Sequence, residues 1–430
     1  MRTGTSEGAR LCAASLACAL LLVAGSATAD PGDLDADFGV AGKVRESLSR
    51  RDDYAKRLAV QEDGRIVTVG EAFRNGERDL VLARFLPDGA LDESFGSGGS
   101  VLFGFKRKTE RGAALAIQPD GRIVVVADVE KGEDVSRMLV ARFLPDGRYD
   151  PEFGQKGRTT TAFDGTYLAP AAVIVAADGD IVVAGEGFIG GLSGTEARAW
   201  IFARYRPDGR LDRSFGRRGR VVLPLGQGAA ALVEQADGKL VAGGSAGPGF
   251  VDFAVVRLMP DGTLDREFGD GGVALTSFGP DNDYVHGVGI DALGRIVAAG
   301  RSWSGFVPRI AVARYLADGT PDPGFGENGA VVTKIGSMSE AYDLVVADDR
   351  IAVVGWASVN RLAQFAVARY LDDGSLDPGF GAGGIVLTPL GRQAAEATTA
   401  ALQGVDRLVV GGIAVSRRGR GDTALVRYVW

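Results

Sequence analysis

Three short stretches have the residue types and spacing of chemical sites. Asp33, Asp35 and Asp37 of "DLDADFG" alternate as the ligands of a calcium loop do. Their glycine falls one position late, and Val44 stands at the twelfth position, where a bidentate glutamate belongs. "GEGFIG", Gly185 to Gly190, has the glycine spacing of a dinucleotide-binding turn, and "GGSAG", Gly243 to Gly247, spells a nucleophile elbow around Ser245. Both chemistries need a helix to follow, so that its first amides converge on a phosphate or an oxyanion. Strand-like sequence surrounds both motifs and no helical period follows. The two glycine motifs are read as products of a glycine-rich chain, Asp35 of the first stretch already has a role in the repeat, and neither a metal nor a cofactor is expected.

His286 is the only histidine, and Cys12 and Cys18, both in the first 29 residues, are the only cysteines. Multi-histidine metal sites are thereby excluded, as are thiol catalysis, zinc–thiolate sites and cysteine-attached haem beyond residue 29. No partners for a histidine-based triad are evident, and His286 reads first as a surface side chain in a loop. Formal net charge is −7 with no long basic run, so nucleic-acid binding is not expected.

The elements that would have to position any site form a repeat. "ARFLPDGALDESFGSGGSV" from Ala83 returns as "ARFLPDGRYDPEFGQKGRT" from Ala141 and as "ARYLDDGSLDPGFGAGGIV" from Ala368. The phenylalanine of "FG" falls at 38, 95, 153, 215, 268, 325 and 380, a period that defines a repeat architecture. Each unit holds four short apolar or β-branched runs separated by "DG" turns. The second runs, such as "RIVTVG" and "RIVAAG", end near glycine. The third, such as "LVLAR" and "FAVAR", is apolar on both faces and must be covered on both. Four strands per unit, repeated seven times, predict an all-β, seven-bladed β-propeller over residues 30–430. The fourth piece is expected to begin at "LD" and run through "FG". "LDADFGVAGKV" is such a piece lacking its first three, and "ALVRYVW" is a third strand lacking its fourth. Together they complete the last blade and close the ring.

Residues 1–29 differ. Arg2 and Arg10 precede an apolar stretch from Leu11 to about Gly25, and "ATA" ends at Ala29. This is the pattern of a signal peptide cleaved after Ala29, the apolar run being too short to span a membrane comfortably. The expectation is a secreted or periplasmic monomer with no membrane span after cleavage.

The units "DGRIVVVA…ARFLPDGRYDPEFGQKG" resemble the delta-60 repeat family of bacterial exported propeller proteins, and the wider pattern is similar to NHL-type propellers. The resemblance covers essentially all of residues 30–430. It implies a propeller fold and export, and brings no activity and no catalytic residues.

Every unit carries an arginine at the end of its third strand and the aspartate of "LD" or its equivalent. These are Arg84 with Asp92, Arg142 with Asp150, Arg204 with Asp212, Arg257 with Asp265, Arg314 with Asp322, Arg369 with Asp377 and, across the closure, Arg427 with Asp35. One reading is a ring of ligand-binding arginines. We favour a structural pair in each blade, because a bidentate pair fixes register as well as charge.

The "DG" turns share one face and barely vary, so the variable loops emerge on the other. Counting back eleven residues from the first "DG" glycine gives Asp53, Glu110 and Asp283, with Tyr54 and Tyr284 one step later. Binding residues concentrate on loops held by a rigid scaffold. The expected site is the variable-loop face, with Asp53, Tyr54, Glu110, Asp283, Tyr284 and His286 near the channel and Arg301, Trp303 and Phe306 farther out. The expected role is binding an extracytoplasmic protein, peptide or glycan. The alternative is a hydrolase or lyase using carboxylates at the channel mouth; the missing cysteine and the absence of a placed acid–base pair weigh against it.

Overall fold

A computed structural model describes residues 29–430 apart from 50, 75–76, 105–109, 131–135, 164, 190–196 and 248. The expected leader, residues 1–29, lies outside the described residues but for Ala29. No described helix is long and apolar enough to cross a membrane. The described chain forms seven four-stranded antiparallel sheets, the blades of a β-propeller. In blade 1 the strands run Asp53–Val60, Ile66–Arg74, Glu77–Phe85 and Ser100–Phe103, from the channel outward. The third strand is covered on both faces as its composition requires: Leu80, Val81, Leu82 and Ala83 are all buried.

Blade 7 closes the ring. Its first three strands are Ala395–Gln403, Arg407–Val415 and Gly421–Val429, and its outer strand is Lys43–Glu46, with Lys43 opposite Val426 and Glu46 opposite Thr423. The closure includes a turn as well as a strand. Asp30, Pro31 and Gly32 stand in for the "PDG" turn that blade 7 lacks. The Gly32 amide donates to the Val429 carbonyl, and the Pro31 carbonyl accepts the Gly381 amide from blade 6, both at 2.9 Å. Asp33 accepts the Asp30 amide, and Asp35 is held by Arg407 and Arg427, so the calcium-like spacing serves this closure.

Each seam repeats one construction. The "FG" phenylalanines are fully buried. The glycine after each donates its amide to the "DG" turn of the next blade, as Gly39 does to the Asp88 carbonyl at 2.7 Å. The arginine lies over the phenylalanine ring, pairs with its own blade's aspartate and reaches across the seam. Arg142 is 4.8 Å from the Phe153 centroid, 2.8 Å from Asp150 and 2.6 Å from the Pro207 carbonyl. The pairs expected from sequence are therefore single Nε–carboxylate contacts, not bidentate ones: the second nitrogen serves the neighbour.

Arg204 departs from the rule. It lies 3.7 Å from Asp212 and 2.8 Å from Asp180, because "DGDI" places a carboxylate at 180 where blade 1 has Arg65. Two boundaries also differ from expectation. The second strands run on past their glycine, to Arg74 in blade 1. The "LDxxFG" segment is a turn carrying one isolated bridge, Phe85 to Leu91, and the outer strand starts only at Ser100.

Candidate functional site

Side chains alternate along a strand, so each residue of an inner strand faces either the channel or the neighbouring blade. A β-bulge inserts one extra residue and re-aims its side chain. All seven inner strands are irregular at the same place. The register skips Lys56 in blade 1, Ala171 in blade 3, Ala230 in blade 4, His286 in blade 5, Tyr342 in blade 6 and Thr398 in blade 7. The glycine ending each "RIVTVG"-like phrase permits this. A Cβ on Gly70 would lie 1.7 Å from the Tyr54 carbonyl oxygen, and one on Gly300 would lie 1.9 Å from that of Tyr284. Blade 2 has Ala127 at this position, and its register skips two residues between Arg111 and Ala114.

Bulge residues from five blades and their neighbours enclose a cavity of about 470 Å³ in the channel. Blade 1 contributes Tyr54, Lys56, Arg57, Glu71 and Arg78. Facing them are Tyr167 with the apolar Ala169–Pro170–Ala171 wall of blade 3, and His286, Tyr342 and Thr398 of blades 5 to 7. Glu71 is buried and accepts the Tyr54 hydroxyl at 2.9 Å, Lys56 at 2.6 Å and Arg78 at 3.1 Å. Burial opposes its ionisation, yet Lys56, Tyr54 and Arg78 hold its carboxyl below the ordinary range. Arg57 donates to the carbonyls of Lys56 and Thr398, both at 3.2 Å, and has no ion-pair partner among the described residues.

Across the channel, Glu340 takes the place that Tyr54 has in blade 1. Arg301 pairs with it, and His286 Nε2 stands 3.2 Å from it. Burial pulls the His286 imidazole below its ordinary value, against the pull of Glu340, so the ring is neutral near pH 7. Tyr342, its ring centroid 5.4 Å from that of His286, is pushed up to about 12 by burial and by Glu340. Among the described residues, no group of three or more His, Cys, Asp or Glu has the geometry to hold a metal ion.

The expected site residues divide by strand parity. Tyr54 and His286 line the cavity. His286 lies within the inner strand Asp283–Ile290, not in a surface loop, because the bulge carries it inward. Asp53 and Asp283 are fully buried and turned the other way. Asp53 accepts the Ser49 amide and both the amide and hydroxyl of Thr423. Asp283 accepts the Phe278 amide. They anchor the entering loops rather than meeting a ligand. Glu110 opens the inner strand of blade 2, and its side chain lies outside the described residues. Arg301 lies over Tyr284 at 4.5 Å and over Trp303 at 5.5 Å, forming a rim beside the cavity. Phe306 is 94% exposed at the tip of its loop. Lys56, Arg57, Glu71 and Tyr342 escaped sequence reasoning; the repeated glycine opposite the bulge was the signal that could have found three of them or their neighbours.

Fold and channel define a β-propeller with a polar pocket in its axis. Residues 61–95, 118–153, 176–215, 235–268, 294–325 and 347–380 match the family described as "Domain of unknown function (DUF5122) beta-propeller". Six matches spread over the ring place the chain in a propeller repeat family. No curated protein matches the sequence. Among solved structures, the polysaccharide lyase Uly1 is similar over 87% of this chain and 90% of its own, with 14% identity and a TM-score of 0.51. A protein of unknown function from Dyadobacter fermentans is similar over 91% and 100%, with 13% identity and a TM-score of 0.45. A PL25 ulvan lyase is similar over 87% and 94%, with 12% identity and a TM-score of 0.40. At these identities the likeness is one of fold.

Proposed function

We propose that the protein is an exported binding propeller of the delta-60 type, acting outside the cytoplasm, whose channel pocket takes an acidic glycan. The observation that carries this reading is Arg57. Among the described residues its hydrogen bonds go only to carbonyls and the charge it meets is that of Asp343, and it faces a wall of Tyr167, Ala169, Pro170 and Ala171 across the cavity. A sugar ring has an apolar face that packs on such a wall, and a uronate carboxylate matches a guanidinium that is in no direct ion pair. The cavity volume falls within the ~300–1,000 Å³ of small-ligand sites. Calorimetry with uronate-containing and neutral oligosaccharides tests it. Uronates should bind at least about ten-fold tighter than neutral analogues, and Arg57→Gln should remove that preference. Equal affinity for both classes, or an unchanged preference in Arg57→Gln, would refute it.

A second reading, a glycan lyase or hydrolase, is favoured by one arrangement: a neutral His286 next to Tyr342 and Glu340 on the cavity wall. A neutral imidazole in a pocket can take a proton. Turnover of an acidic polysaccharide that is lost in His286→Ala, with binding retained, would favour this reading over pure binding.

A further inference from the structure

The repeat itself provides the comparison that exposes a second site. After "FG" the seven units read "VAGKV", "SGGSV", "QKGRT", "RRGRV", "DGGVA", "ENGAV" and "AGGIV". The second position of each has a left-handed backbone, with φ between 51° and 64° at Ala41, Gly98, Lys156, Arg218, Gly271, Asn328 and Gly383. Glycine adopts this conformation without strain, and lysine and arginine do so rarely. The fold therefore does not call for Lys156 and Arg218; other blades build the same turn with glycine. Blade 3 departs further. Arg206 stands where other blades have Leu86, Leu144 or Met259, and Arg213 stands where blades 1, 2 and 5 have Glu93, Pro151 and Pro323, an arginine shared only with Arg266 of blade 4. Six arginines fall within Arg206 to Arg220.

These substitutions converge in space. The rims of blades 2 and 3 enclose a groove of about 1550 Å³ lined by seven cationic side chains against two carboxylates, Glu152 and Asp208. Lys156, Arg213 and Arg218 are exposed there and form no ion pair among the described residues. The groove lies on the "DG"-turn side and at the outer edge, away from the channel pocket. The whole chain carries −7, so this density of positive charge is local.

We infer that this groove binds a linear polyanionic polysaccharide, sulfated or carboxylated, along the seam between blades 2 and 3. Guanidinium groups match sulfate and carboxylate oxygens by paired N–H donors. Gln155, Thr159 and Thr160 add neutral hydrogen-bonding groups suited to sugar hydroxyls. Single-stranded nucleic acid binds on aromatic platforms, and the groove lining has no aromatic residue. A membrane surface calls for apolar side chains beside the cations, and Leu211 is the one large apolar residue in the lining. This inference is independent of the channel reading.

The test uses the whole protein and the triple variant Lys156→Gly, Arg213→Pro, Arg218→Gly, each residue borrowed from the equivalent position of another blade. Dextran sulfate, polygalacturonate, single- and double-stranded DNA and phosphatidylglycerol vesicles are compared at equal charge concentration. The intact protein should bind at least one polysaccharide, more weakly as salt rises, and the triple variant should lose at least about ten-fold in affinity with its melting temperature kept. Arg57→Gln should leave that binding unchanged. Tighter binding of DNA or vesicles, no binding of either polysaccharide at low salt, or full binding by the folded triple variant would overturn the assignment.

Discussion

Arg314 Nε lies 2.8 Å from Asp322 Oδ2, with the guanidinium 4.6 Å above the Phe325 ring and a second nitrogen 2.8 Å from Asp372 of the next blade. One side chain thus joins the "LD" turn, the seam phenylalanine and the neighbouring blade. That explains why arginine, and not lysine, recurs at this position. A planar fork can satisfy two partners in fixed directions while stacking on a ring, and an ammonium cannot.

The pair should behave as a coupled unit. Arg314→Ala should destabilise by about 3–5 kcal/mol, since it strips the buried Asp322 of its close partner, and Asp322→Ala should cost less, since Arg314 keeps Asp372. The double variant should cost less than the sum in denaturant melts. In blade 3 the coupling should move: Arg204 with Asp180 should couple more strongly than Arg204 with Asp212, as their 2.8 and 3.7 Å separations indicate. Additive costs for Arg314 and Asp322 would show that the contact is not energetic.

The seam was legible because its parts recur in register: a phenylalanine, an arginine and an aspartate at fixed offsets seven times over. Ring closure was legible for the same reason, from complementary part-blades. The pocket was much less so. A bulge leaves no residue type of its own, so Lys56, His286, Tyr342 and Thr398 look unrelated until the register places them alike. Asp53 and Asp283 were conspicuous because they matched by count, but a residue matched between blades is as readily a structural anchor as a ligand contact. Strand parity, visible only with the register known, separates Asp53 from Tyr54.

Gly300→Ala tests the bulge. Its Cβ would sit 1.9 Å from the Tyr284 carbonyl oxygen, so the inner strand must shift. The expected cost is about 1–3 kcal/mol. The reciprocal change, Ala127→Gly, introduces no clash and should cost about 1 kcal/mol or less. A Gly300→Ala variant as stable as the parent would mean that the bulge does not require glycine.

Deletion of residues 30–46 tests closure. It removes the outer strand of blade 7 and the Asp30–Gly32 turn, leaving the edge of Gly421–Val429 without its partner. An exposed edge strand recruits other chains. The deleted protein should associate in light scattering and melt at lower temperature, and a separate peptide of residues 30–46 should reverse both. A monomeric deletion variant with the parent's melting temperature would rule out a closing role for this strand.

Asp53 joins blade 1 to blade 7 through Thr423, and its titration should register in stability. Burial lifts its carboxyl to about 6, with the Thr423 and Ser49 hydrogen bonds opposing the rise. Its unfolded value is about 3.9. Between these values the folded protein holds a proton that the unfolded chain releases. This contribution is therefore greatest below about pH 4 and is lost as pH rises through about 6. Asp53→Asn removes the titration and leaves the other groups in place. As pH falls from about 7 to about 4, the parent should gain on the variant by up to about 2 kcal/mol in denaturant melts. Parallel stability curves across that range would show that Asp53 titrates normally. A widening gap in the opposite direction would mean that the Thr423 bonds hold it ionised.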